Sequence, residues 1–415
     1  MAGKVYLVGA GPGDPGLLTR AAEAVLRRAD LVLYDALVHP ELLELCTGET
    51  VFVGKRAGQP SARQERINAR LVAEARAGKI VARLKGGDPY LFGRGSEEAE
   101  VLSREGVPFE VVPGVPSPLA ATAYAGISLT HRAMSSSVAY LTATESPEKD
   151  QTSHDWAKLA TATQTLVIFM GMRKIRSLMD LLVANGRDPN TPAAVIARAS
   201  LPTQQTVVGT VATLADLAEA TEIGMPSLLV VGEVVTLRES LRWFDTQPLF
   251  GTKVLVTRPV HQAGSMAALL RDRGAQPLMA PTIELSARTD ELDLLSTKLS
   301  GYDWVVFTSA NTVDFVLDAV DRTGGDARRF GTARLIAIGD KTAAAMRLRG
   351  LRADEVATTS RAEGVVDALE PLLAEKSRVL IPRSGRARNV LVDRLVAGGH
   401  HVDAPAADDL SLSPL

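Results

Sequence analysis

Residues 81–98 read VARLKGGDPYLFGRGSEE. An apolar run ends in Gly86 and Gly87, and Asp88-Pro89, an aromatic cluster, Arg94 and the pair Glu97 and Glu98 follow. The first part has the character of a buried strand, and two glutamates suit the positive end of a helix that starts there. Ser96 is the expected N-cap. A strand that breaks at paired glycines leaves bare backbone at its carboxyl end, where open α/β sheets collect their ligands.

Outward from this stretch, short β-branched runs alternate with helical patterns, which predicts parallel α/β sheets. Strands are expected at 4–9, 30–35, 50–54, 79–86 and 109–114, with helices at 17–29 and 97–106. A second block has strands at 137–143, 165–171, 193–199, 205–210 and 227–235, with a Pro/Gly hinge at 113–118. A third α/β block starts after the break at 242–251. The boundaries read as 1–114, 115–245 and 251–405, with 406–415 a frayed tail.

Composition narrows the class. The chain has 415 residues, 46% hydrophobic and 23% charged, with a formal net charge of −2. That balance carries no footprint for nucleic acid. No apolar run approaches the roughly 18–20 residues of a membrane span. The start, MAGKVYLVGAGPGD, enters a strand directly and shows no signal peptide. Cys46 is the single cysteine, so no internal disulfide and no structural zinc site are expected. A cytoplasmic enzyme without metal, nucleic-acid or membrane partners is the expected class.

A second glycine loop, VGAGPGDPG at 8–16, places Gly11, Gly13 and Gly16 in a G-x-G-x-x-G spacing between strand and helix. Asp35 follows the next strand, where a dinucleotide fold holds its ribose. However, Pro12 and Pro15 delete backbone donors that a pyrophosphate needs. A ligand with an adenosine and no phosphates fits the two loops better. The alternative is that both are tight turns holding nothing.

Asp35 and Lys55 end neighbouring strands and can remove and supply protons, or simply pair as a salt bridge. Arg56, Lys85, Arg94 and Arg132 scatter cations around the same strand ends. Arginine forks suit a polyanionic organic substrate, and exposed loop charges read alike. His131 is a base, a substrate contact or a structural residue.

Taken with VYLVGAGPGDPGLLT (5–19), ADLVLYDALV (29–38), VFVGKRAG (51–58), VVPGV (111–115), AYAGISLTHR (123–132) and SLLVVGEVV (227–235), residues 1–245 resemble the tetrapyrrole methylase family. The resemblance implies a two-domain α/β fold, usually a homodimer, with S-adenosylmethionine in the cleft. It implies C-methylation of uroporphyrinogen III at C2 and C7, giving precorrin-2 for siroheme or cobalamin. By position, Pro12, Gly86, Gly87, Asp88, Leu91, Pro116, Ser117, Met170 and Ala199 line the cofactor site. Asp35 is the implied proton acceptor and Lys55 the donor, with Arg94 also catalytic. Arg94, Glu97 and Arg132 are the implied substrate contacts. The chain has Pro116-Ser117 where the family usually has Thr-Ala, Ala199 where it has Gly, and Thr144 where a histidine is common.

The third block resembles the front part of the uroporphyrinogen-III synthase family at VLVTRP (254–259), PTIEL (281–285), YDWVVFTSANTV (302–313), AIGDKTAAAM (337–346) and VLIPRSGRARNVLVDRL (379–395). It lacks the returning segment and the tyrosine of that family, so an incomplete region is expected, with residues 253–275 exposing an apolar face and weak or absent synthase activity. Two other functions compete: a NAD-dependent oxidoreductase of the precorrin-2 dehydrogenase kind, and an inactive tetrapyrrole-binding module.

Overall fold

Valine, leucine and isoleucine runs too short for helices build the first sheet. They are β1 (Lys4–Gly9), β2 (Leu31–Tyr34), β3 (Glu49–Phe52), β4 (Ile80–Lys85) and β5 (Phe109–Val112). The order is β3-β2-β4-β1-β5, all parallel. The computed structural model describes residues 3–54, 64–144, 153–359, 361–385 and 389–412. Val5, Leu7, Leu31, Leu33 and Val81 pack on α2 (Gln64–Arg76) and α3 (Gly95–Arg104). Tyr6, Val8, Val32, Ala82 and Leu84 pack on α1 (Arg20–Leu26), which Thr19 caps at its start. The two-residue period of β4 therefore sends Arg83 and Lys85 to the same face as Val81.

Helix α3 begins two residues earlier than Ser96 as cap requires. Its N-cap is Arg94, at φ 62°, and Ser96 lies inside the helix. Gly95 donates to the Pro89 carbonyl at 2.9 Å, and a Cβ there would lie 2.4 Å from that oxygen. The loop thus closes onto glycine before the serine is reached.

The second sheet has β6 (Val138–Thr142), β7 (Thr165–Phe169), β8 (Pro192–Ala197), β9 (Gln205–Thr210) and β10 (Ser227–Val231), in the order β6-β7-β10-β8-β9. Here the expectation of parallel sheets is corrected. Only β6 and β7 pair in parallel, while β10 runs antiparallel to β7 and β8, and β9 antiparallel to β8. The link 198–204 is too short for a parallel crossover, and a β-branched run carries no mark of its direction. α4 (Ser117–Tyr124) leads into this sheet from Pro116.

The chain divides into two compact units, Met1–Val254 with Ala268–Pro277, and Leu255–Ala267 with Leu278–Leu415. β11 (Lys253–Val256) and β12 (Gln276–Met279) form a two-stranded sheet. Within 253–275, Leu255 and Leu269 are exposed, as expected, but β11 does have a strand partner in β12, where Leu278 and Met279 are exposed as well. Next come β13 (Ile283–Ala287), β14 (Trp304–Phe307), β15 (Arg334–Ala337), β16 (Glu355–Val356), β17 (Arg378–Leu380), β18 (Arg383–Ser384) and β19 (His401–Asp403). Of these, β16-β15-β14-β17-β19 make a parallel sheet.

Residues 406–412, expected to fray, instead form β20 (Ala406–Leu412). It pairs antiparallel with β13 and parallel with β18, with Ala407 and Asp408 buried. Its polar composition hides it, and its antiparallel partner β13 lies more than a hundred residues away. Asp409 gains Arg288 there at 2.9 Å.

Candidate functional site

Loops at strand ends of the first two sheets converge. Gly11 and Gly87 bridge, Gly87 N donating to Gly11 O at 2.7 Å and Gly11 N returning to Gly87 O at 3.2 Å. A Cβ on Gly114 would lie 2.3 Å from Gly87 O, and one on Gly9 2.4 Å from Gly114 N. These glycines are bare because three backbones touch. A Cβ on Gly86 would strike that of Leu37 at 2.6 Å, so Leu37 fills its bare face. Gly87, at φ +69°, is not crowded: a Cβ there would make only an ordinary contact at 3.7 Å, with the Ser117 nitrogen.

Asp88 serves the loops first. Its Oδ1 accepts from Tyr90 N at 2.8 Å and its Oδ2 from Gly114 N at 3.1 Å. Each oxygen keeps a further lone pair for a ligand. Leu91 is half-buried in the same loop, and the Phe92 ring meets that of Phe169 at 4.8 Å, beside Met170. Pro12 stands in the loop that meets the turn at Ala199. A Cβ on Gly13 would lie 2.8 Å from Ala199 O, and Asp14 N donates to Ser200 Oγ at 3.0 Å. Asp14 Oδ2 accepts from Tyr124 OH at 2.6 Å.

Among the described residues, seven that are not glycine have positive φ, and five of them sit in these loops: Phe92, Arg94, Met170, Arg198 and Ser200. Such strain persists where surrounding packing over-determines it, and it clusters at functional sites.

The charged candidates divide. Asp35 directly follows β2; its Oδ1 accepts from Leu37 N at 3.1 Å, and Arg83 Nη2 lies 3.7 Å from its Oδ2. Arg94 and Glu97 pair at 2.5 Å on the surface. The Glu97 bond holds the Arg94 guanidinium above its ordinary value, and Arg94 holds the Glu97 carboxyl below its own. Lys85 does not join the surface cations. It is buried, 3.2 Å from Glu98, and burial, then Arg83, push its ammonium below the usual lysine value against the pull of Glu98. Arg132 is exposed in the turn closed by the His131–Ser135 bridge, and makes no ion pair among the described residues. His131 Nδ1 accepts from Ala133 N at 3.2 Å, a local turn contact. Lys55 and Arg56 lie outside the described residues.

Sequence reasoning missed Asp14, Tyr124 and Ser200 as ties between loops, and Arg83 with Glu98 as an inward charge pair. An arginine and a lysine two apart in an apolar strand were the available signal for the latter. A depression of about 410 Å³ beside Met172, Arg173 and Lys174 includes none of the candidate residues. Among the described residues no group of three or more His, Cys, Asp or Glu side chains could hold a metal, and no helix is long and apolar enough to cross a membrane.

Residues 4–215 match the family model of Tetrapyrrole (Corrin/Porphyrin) Methylases, and residues 264–407 that of Uroporphyrinogen-III synthase HemD. The chain is 37% identical over 397 residues to the Porphyrin biosynthesis protein HemD of Ruminiclostridium josui, covering 95% of this chain and 79% of that protein. It is 50% identical over 248 residues to Siroheme synthase 2 of Yersinia pestis (strain Pestoides F), covering 59% of this chain and 52% of that protein. The chain thus spans about half the length of the siroheme synthases it matches. A solved Uroporphyrin-III C-methyl transferase from Thermus thermophilus, complexed with S-adenyl homocysteine, is 42% identical. That comparison covers 56% of this chain and 99% of the other, with a TM-score of 0.49.

Proposed function

This chain belongs to the tetrapyrrole methylase family, and from that premise we propose that it is an S-adenosylmethionine-dependent C-methyltransferase. Its substrate is uroporphyrinogen III, methylated at C2 and C7 through precorrin-1 to precorrin-2, with two S-adenosylhomocysteine released. The observation that carries the reading is the convergence of the Gly11–Gly87 bridge, the uncrowded Gly87 and five left-handed residues at one set of strand ends. Backbone bare of side chains suits close approach of an adenosine, while Pro12 and Pro15 withhold the donors that a pyrophosphate would need.

The bound donor supplies an electrophilic methyl: its carbon–sulfur bond breaks as a carbon–carbon bond to the ring forms. Pro12, Gly86, Gly87, Asp88, Leu91, Pro116, Ser117, Met170 and Ala199 hold it in line and exclude water. The methylated ring is cationic and must lose a proton, which Asp35 accepts, with Lys55 supplying protons. Arg94 and Arg132 grip the acetate and propionate groups, Arg94 exchanging Glu97 for a substrate carboxylate. The enzyme works as a cytoplasmic homodimer, with lobes 1–114 and 115–245.

For residues 264–407 the HemD likeness supports contact with the same tetrapyrrole chemistry. We hold its synthase activity weak or absent, because Leu255, Leu278 and Met279 leave the two-stranded sheet uncovered. Hydroxymethylbilane turned into the type III isomer above the spontaneous type I product would refute this.

The test of the methyltransferase is anaerobic incubation with uroporphyrinogen III and S-adenosylmethionine, following S-adenosylhomocysteine and the dipyrrocorphin spectrum. Asp35→Asn retains S-adenosylhomocysteine binding and loses most turnover. A melting temperature raised by NAD and not by S-adenosylhomocysteine would favour an oxidoreductase. Tetrapyrrole bound with no donor consumed would favour a binding module.

A further inference from the structure

Four ionisable side chains line up beneath the strand ends. Val81, Arg83 and Lys85 share one face of β4, and the last two carry charge into a layer otherwise apolar. Glu98 of α3 is fully buried and meets both. Its Oε1 accepts from Arg83 Nε at 3.1 Å, Lys85 Nζ at 3.2 Å and Gln64 Nε2 at 2.9 Å. Lys85 is equally 3.2 Å from Oε2, a charge contact without an aligned donor.

Apolar side chains of similar volume would fill this space at least as stably, so packing alone does not account for the charges. Two cations against one anion leave a surplus positive charge, and Asp35 stands on the side where it is felt. Arg83 Nη2 is 3.7 Å from Asp35 Oδ2, beyond hydrogen-bond reach, so the attraction is coulombic. The guanidinium is fixed independently, because Nη1 also donates to the Leu33 and Leu84 carbonyls at 3.3 and 3.1 Å. Leu33 lies two residues before Asp35 on β2.

We infer that Arg83 is a positioning residue that sets the Asp35 carboxylate for its proton, with Glu98 as its permanent counter-charge. The inference rests on the proton-acceptor role proposed for Asp35. The Leu37 amide holds one carboxylate oxygen and Arg83 attracts the other, so the group is oriented from both sides. In the step itself, the electrons of a ring C–H bond stay in the macrocycle and the proton passes to an Asp35 oxygen. Asp35 then loses its charge, while Arg83 keeps Glu98 and the Leu33 and Leu84 carbonyls as partners. The buried Glu98 carboxylate is what makes the arrangement tolerate both states of Asp35.

The test is a double-mutant cycle in the full chain with wild type, R83Q, D35N and R83Q/D35N, using a tritiated methyl donor so that residual turnover is countable. R83Q lowers kcat roughly tenfold to a hundredfold. The KM for either substrate and calorimetric S-adenosylhomocysteine binding stay within about twofold, since the lost interaction belongs to the transition state. In the D35N background the same change has no further effect, because Arg83 acts only through Asp35. An R83Q loss of equal factor with Asp35 already removed would overturn the inference, as would unchanged kcat or a matching loss of ligand binding. D35N at full turnover removes the Asp35 role itself, a result distinct from additivity. Should R83Q fail to fold, R83M, which also removes the charge and keeps a side chain of similar length, takes its place in the cycle with the same expected outcomes.

Discussion

Tyr124 donates its phenolic hydrogen bond to Asp14 Oδ2 at 2.6 Å, across 110 residues of chain. The bond fastens α4 to the first glycine loop, and burial followed by the Asp14 carboxylate raises the phenol well above the ordinary tyrosine value. Tyr124→Phe removes a hydrogen bond to a charged acceptor, so urea denaturation should show about 1.5–3 kcal/mol lost. Wild-type stability in the variant would mean that water replaces the tie.

Gly114 and Gly106 separate two reasons for glycine. A Cβ on Gly114 would lie 2.3 Å from Gly87 O and 2.8 Å from Gly9 Cα, both backbone. Gly114→Ala must therefore spread the loops, at about 3 kcal/mol or more, and weaken S-adenosylhomocysteine binding. Gly106 has φ +65° and no atom within 4 Å of the added carbon. Gly106→Ala meets only the left-handed backbone, about 1–2 kcal/mol, with ligand binding intact. Equal melting points for the two variants would contradict the close approach.

Arg94 and Glu97 are both about half exposed, so their ion pair contributes at most about 1 kcal/mol. Arg94→Gln should leave the urea midpoint nearly unchanged yet raise the tetrapyrrole KM at least about tenfold, the value of one charge-assisted contact. An unchanged KM would remove Arg94 from the substrate site.

Tyr302 donates to Asp403 at 2.7 Å, and burial, then that hydrogen bond, push its phenol up to about 12. The neutral form is favoured in the folded state. Its stabilisation is therefore complete below the ordinary tyrosine value near 10 and disappears as pH climbs through about 12. Tyr302→Phe should be less stable than wild type at pH 8, with the gap closing in that alkaline window. A gap that stays constant to pH 12 would show the phenol plays no such part.

Removal of residues 406–415 should destabilise the unit holding β13 and β20. The two strands share five residue pairs, and at roughly 0.5–1.5 kcal/mol net per hydrogen bond the loss is on the order of 3 kcal/mol. Scanning calorimetry reads it as a lowered transition for that unit. A transition identical to that of the full chain would restore the frayed tail.

Much of the first unit was legible in the letters. β1, β4 and the existence of the helix at Glu97 and Glu98 declare themselves through apolar runs, paired glycines and adjacent carboxylates, each legible within a short stretch, whereas the helix's start at Gly95 does not. The motif at 81–98 also carried the family, because many side chains and bare backbone positions recur there in fixed order. The tertiary structure alone decided the rest. It turned β8, β9 and β10 antiparallel, sent Lys85 inward to Glu98, gave β20 its partner β13, and tied Asp14 to Tyr124. For β20 and for Asp14 the deciding partner, β13 or Tyr124, is more than a hundred residues away, and in every case a charge or a short strand looks the same in the chain whether it meets water or a neighbour brought there by folding.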